Sequence, residues 1–192
     1  MMNIILKTLL AALVSTAVFS SAFAADKVKI ETSMGDITVE LDREKAPVTV
    51  ANFLEYANGG HYDRTIIHRV VHGYVFQGGG YSKYFNERPL QEPISYEGDN
   101  GLKNLRGAIA MARGDSRDSA QSQWFINVKD NPELDHRIFE GAPLYGYAVF
   151  GRVVDGMDVV DAIGAVETGP GGDFASEVPV EPIIVNRVDL AD

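Results

Sequence analysis

The fold can be worked out starting from TIIHRVVHGYVFQGGG, residues 65–80. This stretch holds two short apolar runs, the first carrying Arg69 and the second ending in Gln77 and three glycines. His72 and Gly73 lie between the runs and predict a tight turn, so the stretch should form two antiparallel strands. Such a hairpin would bring Arg69 and Gln77 towards one surface, among aromatic and aliphatic side chains and without a nucleophile.

Upstream of this stretch, the sequence predicts a β-hairpin followed by a helix. Apolar and polar residues alternate over residues 27–32 and again over residues 37–41, on either side of a turn that contains Gly35. This alternation is typical of two paired strands. Pro47 suits the first turn of a helix, and Gly59 with Gly60 should end it. One buried helical stripe is predicted by the spacing of Val50, Phe53, Leu54 and Ala57.

Downstream, short strands are predicted to alternate with loops. Residues 80–105 lack periodicity, which is typical of a long functional loop. Residues 131–146 also predict a loop, with one helical turn near Pro132, and residues 169–172 predict a flexible segment. Strands are predicted at residues 106–112, 122–128, 147–154 and 178–189, and a short helix is predicted at residues 155–163. About eight strands and two helices, without βαβ alternation, indicate a mainly β fold, an antiparallel barrel capped by two helices.

Composition and charge exclude several classes of protein. The 192 residues are 45% hydrophobic and include no cysteine, so one domain can rest on its core, and thiol catalysis and zinc–thiolate sites are excluded. The 17 basic and 27 acidic residues give a formal charge of −10. This charge argues against nucleic acid or an anionic membrane as a partner. The chain has neither a glycine-rich phosphate loop of the nucleotide-binding kind nor a Gly-x-Ser-x-Gly elbow.

Residues 1–24 predict a secretory signal peptide. Lys7 precedes an apolar run over residues 8–19, and Ala22 and Ala24 are small residues at the two positions that a signal peptidase reads. Cleavage is predicted after Ala24, which leaves residues 25–192 as a single domain. An uncleaved membrane anchor is the alternative, but a spanning helix needs about 20 apolar residues, and serines dilute this run.

The polar residues that remain favour a reaction without covalent or proton-transfer steps. His68 and His72 would share one face only if their strand ran straight through the predicted turn, so His68 is predicted to be a hydrogen-bonded structural side chain. No metal and no cofactor are predicted. The remaining candidates are Arg69, Gln77 and Gln123, beside apolar residues. Arginine donates hydrogen bonds but cannot act as a base near neutral pH.

Residues 67–79, IHRVVHGYVFQGG, resemble the signature of the cyclophilin peptidyl-prolyl isomerases. Three later runs resemble the same family: residues 107–113 (GAIAMAR), residues 119–127 (SAQSQWFIN) and residues 147–151 (YAVFG). The resemblance covers essentially the whole chain after residue 24 and is greatest to the periplasmic bacterial branch. It implies a closed eight-stranded antiparallel barrel capped by two helices, and a peptidyl-prolyl cis-trans isomerase that assists the folding of exported proteins.

The resemblance also implies a role for each candidate residue. The catalytic arginine of the family corresponds to Arg69, and the pocket glutamine that acts with it corresponds to Gln77. The apolar pocket for proline corresponds to Tyr74, Val75, Phe125, Leu134 and Tyr147. The stretch that binds the peptide backbone corresponds to Ala112 and Arg113, and the second glutamine to Gln123. The implied partners are proline-containing polypeptides, and the expected form is a periplasmic monomer without nucleic acid or membrane partners.

Four positions depart from the common pattern of the family. His72 stands where proline is usual, and Tyr74 and Val75 replace a common Phe-Met pair. Glu133 stands where eukaryotic members have a tryptophan that is important for cyclosporin, so weak binding of that drug is predicted. Tyr147 replaces a histidine that is common in eukaryotic members, although bacterial members resemble this chain.

Other interpretations of these residues are open at this level. The protein could be a non-catalytic proline-peptide binding module or chaperone on the same fold, or a small-ligand barrel. Arg69 alone would suit an exposed edge strand, and Phe125 and Tyr147 would suit an ordinary core. Gln77 and Gln123 could satisfy backbone groups within the barrel.

Overall fold

The computed structural model describes residues 26–191. The predicted signal peptide, residues 1–24, lies outside this range. The helices are α1 (Pro47–Asn58) and α2 (Met157–Gly164), with a 3₁₀ helix at Pro132–Leu134. The strands are β1 (Lys27–Thr32), β2 (Gly35–Leu41), β3 (Thr65–Ile66), β4 (Arg69–Val71), β5 (Val75–Gly78), β6 (Ala108–Met111), β7 (Trp124–Asn127), β8 (Arg137–Phe139), β9 (Ala142–Leu144), β10 (Val149–Asp155), β11 (Thr168–Gly171), β12 (Phe174–Pro179) and β13 (Ile184–Ala191). No helix within residues 26–191 has both the length and the apolar character needed to cross a membrane.

The main sheet curls until its two ends meet in one segment of chain. Its strand order is β3-β13-β1-β2-β10-β6-β7-β5-β4, and every pairing is antiparallel. The end strands β3 and β4 are separated only by Ile67 and His68. The Ile67 amide donates to the Ile183 carbonyl (3.0 Å), and the His68 amide donates to the Gln77 carbonyl (3.1 Å). If β3 and β4 are counted as one interrupted strand, the sheet has eight strands, which agrees with the predicted barrel.

The barrel interior and the inner sides of the helices form the main core. The helical stripe predicted from spacing is confirmed, because Val50, Phe53, Leu54 and Ala57 are all buried. The Phe53 ring lies 5.1 Å from the Tyr62 ring and 5.2 Å from the Phe150 ring. Truncation of such a fully buried aromatic residue typically costs about 3–5 kcal/mol of folding free energy. Buried aromatic and aliphatic side chains therefore fill the barrel interior.

A second, smaller apolar cluster lies on the outer face of β5, β6, β7 and β10. Side chains alternate between the two faces of a strand. Trp124 and Ile126 of β7 therefore belong to the interior, whereas Phe125 belongs to the outer cluster with Val75, Ala110 and Val149. The prediction that Trp124 and Phe125 lie on opposite faces is confirmed. Loops cover this outer cluster, and their side chains complete it.

Two short hairpins were not predicted. Strands β8 and β9 pair within the predicted loop 131–146, although the predicted helical turn near Pro132 is present. The predicted flexible segment at residues 169–172 is instead part of β11 and of the turn to β12. The single strand predicted at residues 178–189 is also wrong, since β12 ends at Pro179 and β13 begins at Ile184. Glycines and prolines interrupt the alternation of apolar and polar residues in these segments. The strands form there because each pairs with its neighbour across the hairpin.

Candidate active site

The hairpin of β4 and β5 carries the first two candidate residues. Its turn contains Gly73 in the left-handed region (φ 63°), and the Tyr74 amide donates to the Val71 carbonyl (2.9 Å). In this register Arg69 lies directly opposite Gln77. The sequence prediction that these two side chains share one surface is confirmed.

The row that starts at Arg69 continues across two further strands. Gln77 of β5 lies opposite Phe125 of β7, and Phe125 lies opposite Ala110 of β6. Directly opposed residues in an antiparallel sheet project to the same face. The register therefore places a guanidinium, an amide, an aromatic ring and a methyl group in one line on the outer face of the barrel.

The five predicted pocket residues, with Ala112 of the predicted backbone-binding stretch, come together around this line. The Phe125 ring is buried and meets the Tyr147 ring edge to face, with centroids 5.2 Å apart. The outer cluster that contains both rings also includes Tyr74, Val75, Ala112 and Leu134. Aromatic and aliphatic walls of this kind suit a compact apolar ring.

A network of buried asparagines holds the Leu134 loop against the barrel. The Asn131 side-chain amide donates to the Asn127 side-chain oxygen (2.8 Å), and the Asn127 amide donates in turn to the Ala108 carbonyl (3.1 Å). The Leu134 carbonyl accepts from the Asn104 side chain (3.1 Å) and from the Tyr147 amide (2.9 Å). Leu134 and Tyr147, which are 13 positions apart in the sequence, are thereby fixed on the same wall.

The two glutamines bond to each other. The Gln77 Nε2 group donates to Gln123 Oε1 (2.7 Å), and the Gln123 carbonyl accepts from the Ala112 amide (2.9 Å). Their side chains therefore do not serve only to satisfy backbone groups of the barrel. The contact links β4–β5, which carries Arg69, to the segment at Ala112.

Arg113 is held differently from Arg69. Its Nε donates to the Gly146 carbonyl (3.0 Å), its Nη2 donates to the Tyr145 carbonyl, and its guanidinium lies 5.3 Å from the centre of the Tyr147 ring. The side chain thus secures the segment that carries Tyr147. In the predicted stretch Ala112–Arg113, backbone carbonyls therefore engage the Arg113 side chain, and the Gln123 carbonyl engages the Ala112 amide.

The Arg69 guanidinium contacts a residue that the sequence analysis did not single out. Arg69 Nε donates to Glu177 Oε2 at 2.7 Å. The two residues are 108 positions apart, and β12, on which Glu177 lies, was not predicted as a strand. In the sequence, Glu177 is a single acidic residue near the end of the chain, and such a residue does not by itself predict a contact with Arg69.

His68, the residue before Arg69, is buried. Within residues 26–191 its Nδ1 has no hydrogen-bond partner, and its ring lies 4.8 Å from the Tyr81 ring and 5.6 Å from the Phe174 ring. Burial, reinforced by the charge of Arg69, lowers the pKa of His68 to about 4. His68 is therefore neutral at pH 7. No group of three or more histidine, aspartate or glutamate side chains that could hold a metal occurs among the described residues.

Glu133 lies at the rim beside Tyr74. Burial raises the pKa of the Tyr74 hydroxyl, and the nearby Glu133 carboxylate raises it further. The tyrosine is therefore a neutral hydrogen-bond donor over the physiological range. As a whole the site offers cationic and neutral donors around an apolar pocket, which can bind a small ring and stabilise electron density that develops beside it.

Comparison with known proteins identifies the family. Residues 27–190 match the family model described as cyclophilin type peptidyl-prolyl cis-trans isomerase/CLD. This chain belongs to the cyclophilin family of peptidyl-prolyl cis-trans isomerases. The cyclophilin motifs on β4–β5, β6, β7 and β10 are those that build the outer-face site.

Bacterial and structural relatives agree with this assignment. The chain is 49% identical to peptidyl-prolyl cis-trans isomerase A of Dickeya dadantii (strain 3937), with 96% of this chain and 97% of the relative covered. It is 46% identical to peptidyl-prolyl cis-trans isomerase B of Escherichia coli (strain K12), with 86% and 99% covered. A cyclophilin type isomerase from Cryptosporidium parvum, crystallised in the presence of the dipeptide Ala-Pro, superposes with a TM-score of 0.69 at 26% identity, with 86% of this chain and 99% of that chain covered. The chain is a cyclophilin-type isomerase with bacterial relatives and a mainly β cyclophilin fold.

Proposed function

We propose that this cyclophilin accelerates rotation about X–Pro bonds by a non-covalent mechanism in which Arg69 stabilises the twisted imide. The observation that supports this proposal is the cross-strand row in which Arg69, Gln77 and Phe125 lie opposite one another. The row puts a permanent cationic donor next to an apolar pocket. In this mechanism Phe125, Tyr147 and Leu134 hold the proline ring.

The chemistry requires only donors and a pocket. Resonance keeps the X–Pro amide planar, with a rotation barrier of about 18–20 kcal/mol, so uncatalysed isomerisation takes tens to hundreds of seconds. When the bond is twisted by about 90°, the nitrogen loses conjugation and its lone pair becomes an acceptor. A guanidinium directed at that nitrogen binds the twisted state more tightly than the planar state, which lowers the barrier.

The free energy required is within reach of this site. An increase in rate from roughly 0.01 to roughly 1,000 per second corresponds to about 7 kcal/mol. One well-placed donor supplies about 3–4 kcal/mol. The remainder is assigned to fixing the peptide, through the backbone at Ala112 and Arg113 and the amides of Gln77 and Gln123, and to the apolar surroundings of the proline.

We propose that the substrates are flexible proline-containing segments of exported polypeptides in the periplasm, where this cyclophilin assists folding as a monomer. The predicted signal peptide at residues 1–24 and the bacterial relatives support this setting. The crystal structure of the Cryptosporidium parvum relative in the presence of Ala-Pro supports a proline-containing ligand. Fractionation of cells that express the full chain would test the location, since a protein retained in the cytoplasm contradicts it.

The catalytic assignment is tested by the isomerisation rate of a short Ala-Pro peptide. Arg69→Ala is expected to lower kcat/KM by about 10²–10³-fold, the usual effect of removing a donor that stabilises a transition state. Arg152→Ala is the matched control, because Arg152 also pairs with a glutamate, Glu40 (2.7 Å), but lies outside the row of Arg69, Gln77 and Phe125. A wild-type protein that binds the peptide but gives the uncatalysed rate would support the binding-module interpretation instead. Equal activity of Arg69→Ala and wild type would show that Arg69 is not the catalytic donor.

A further inference from the structure

Glu177 lies in a distorted part of β12 that directs its side chain at Arg69. In the β11–β12 hairpin, Gly169 pairs with Val178 and Gly171 pairs with Phe174, so three residues of β12 lie opposite Pro170 alone. Bulges of this kind redirect side chains and are frequent next to active sites. Here the bulge contains Glu177, whose carboxylate accepts the hydrogen bond from Arg69 Nε.

The backbone of Glu177 is in an unfavourable conformation. Its φ of 66° lies in the left-handed region, where a side chain crowds the backbone and where residues other than glycine, asparagine and aspartate are uncommon. Such strain persists only where the surrounding structure enforces it, and it is concentrated at functional sites. The unfavourable backbone conformation of Glu177 therefore points to a functional role for its side chain.

The surroundings of Glu177 enforce this conformation. On one side, Val178 is buried, and its side chain lies close to Gly171 of the paired strand β11. On the other side, the Phe174 ring meets the Tyr81 ring at 5.3 Å and the His68 ring at 5.6 Å. The bulge is thus anchored at both ends, and one anchor contacts the residue that directly precedes Arg69.

A gain in stability does not account for the contact. The side chains of Arg69 and Glu177 are 41% and 39% exposed, and ion pairs this exposed contribute little to folding. The strained backbone opposes folding as well. Function at Arg69 is the remaining explanation for a carboxylate held in this position.

The geometry of the contact suits orientation of the guanidinium. The Glu177 carboxylate accepts a hydrogen bond from Nε–H of Arg69, and this is the only hydrogen bond that the Arg69 side chain makes within residues 26–191. A guanidinium has five N–H groups in a rigid plane. Fixing the Nε–H direction sets the orientation of that plane and leaves the four Nη hydrogens for another acceptor.

We propose that Glu177 is a positioning residue, which holds the plane of the Arg69 guanidinium so that its Nη groups face the twisted imide. This inference rests on the proposed role of Arg69. The carboxylate does not touch the substrate, and its effect on the rate passes through Arg69. It should therefore change transition-state stabilisation more than peptide binding.

Three substitutions of Glu177 distinguish its effect on the orientation of the Arg69 guanidinium from the effects of its negative charge and of its strained backbone. Glu177→Ala removes the acceptor and is expected to lower kcat/KM about tenfold, because a displacement of about 1 Å in a catalytic group has a large effect on the rate. Glu177→Gln keeps an oxygen that can accept Nε–H and is expected to retain at least half of the wild-type value. Glu177→Gly removes the acceptor and also relieves the backbone, so it should be as slow as Glu177→Ala while melting at a higher temperature.

Two variants elsewhere provide matched controls. Asp161→Ala breaks the Arg106–Asp161 ion pair (2.5 Å), whose side chains are similarly exposed, at 44% and 51%. Glu140→Gly relieves another glutamate with positive φ (51°), in the turn between β8 and β9. Both should leave kcat/KM unchanged. If kcat/KM follows melting temperature across all these variants, Glu177 has a structural role and the inference is overturned.

A double-mutant cycle with Arg69→Ala tests whether Glu177 acts through Arg69. Adding Glu177→Ala to Arg69→Ala should cause no further loss of kcat/KM, since the coupled effect disappears with its partner. The affinity for an Ala-Pro peptide, measured by NMR titration, should change less than twofold in Glu177→Ala. An increase in kcat/KM on removing Glu177 would overturn the inference, because it would mean that the carboxylate competes with the peptide. Full activity of Arg69→Ala would overturn the proposed function, whereas full activity of Glu177→Ala beside an inactive Arg69→Ala would overturn this inference alone.

Discussion

The two arginines that flank the apolar pocket beside the row of Arg69, Gln77, Phe125 and Ala110 are held in different ways. Within residues 26–191, the Arg69 guanidinium makes one hydrogen bond, to Glu177. The Arg113 guanidinium donates to the carbonyls of Gly114, Tyr145 and Gly146. Arg69 lies on β4 and Arg113 follows β6, so the two arginines flank the same apolar pocket. Both arginines are partly buried, and only the structure shows how differently their guanidinium groups are held. The contrast shows that an arginine saturated by backbone carbonyls can brace a pocket wall, while one with free Nη groups can act on a ligand.

Substitution of each arginine by alanine should separate these two roles, with the largest effect at Arg69. Arg69→Ala should lower kcat/KM by about 10²–10³-fold with a change of less than about 1 kcal/mol in unfolding free energy, because its ion pair is exposed. Arg113→Ala should lower the unfolding free energy by about 1–3 kcal/mol, because several carbonyls lose a charged donor. Isomerisation assays and chemical denaturation of both variants measure the two quantities.

The difference proposed between the two arginines would be contradicted if Arg69→Ala and Arg113→Ala behaved alike. Equal losses of activity without loss of stability would mean that Arg113 acts on the substrate in the same way as Arg69. Arg113→Lys provides a further check, since an ammonium group cannot bridge the carbonyls as the guanidinium fork does. It should resemble Arg113→Ala in stability.

Acid should destabilise the Arg69 end of the pocket through His68. The folded pKa of His68 is about 4, below the usual value of about 6.5, so between these values the unfolded state binds a proton that the folded state does not. The contribution of His68 to the free energy of unfolding is therefore fully present above about pH 6.5. It is lost, by about 3 kcal/mol, as the pH decreases to about 4. Denaturation midpoints measured across this range test the expectation.

Variants at the two neighbouring histidines isolate this contribution. His68→Phe should flatten the pH dependence, because the buried ring has aromatic neighbours and its Nδ1 has no hydrogen-bond partner within residues 26–191. His72→Gln is the matched control, since His72 is exposed in the β4–β5 turn. The same slope in wild type and His68→Phe would rule out His68 as the source.

The smallest expected effect concerns the rim at Glu133. Weak cyclosporin binding is predicted because the resemblance to the family implies that Glu133 replaces a tryptophan of eukaryotic members. In the structure Glu133 lies next to Tyr74. Glu133→Trp should increase cyclosporin affinity by about tenfold, or about 1.4 kcal/mol, with little change in isomerase activity. Inhibition of the wild-type protein at low nanomolar concentration would contradict the prediction.

Much of the fold was accessible from local pattern. The β1–β2 hairpin and α1 were predicted because alternation and helical spacing are properties of short stretches, and each agrees with the structure. The β8–β9 and β11–β12 hairpins were missed because their residues are mostly exposed or rich in glycine and proline, so no buried period marks them.

The candidate residues of the site were also named from sequence motifs, and the structure brings Tyr74, Phe125, Leu134 and Tyr147 into one cluster. Their arrangement depends on contacts between distant segments. The asparagine network that joins Asn104, Asn127 and Asn131 to the Leu134 loop has no sequence signature, because asparagine is common in loops of every kind.

The sequence alone determined the residue types that the chemistry needs: one arginine and two amides near apolar residues, with no cysteine anywhere in the chain. It did so because strand alternation and turn signals act over a few residues and specify which side chains share a face. Only the tertiary structure decided how the guanidinium groups of Arg69 and Arg113 are held. The closure of the barrel and the bulge of β12 bring Glu177 to Arg69 across 108 positions, and no local interaction can specify a contact over that separation.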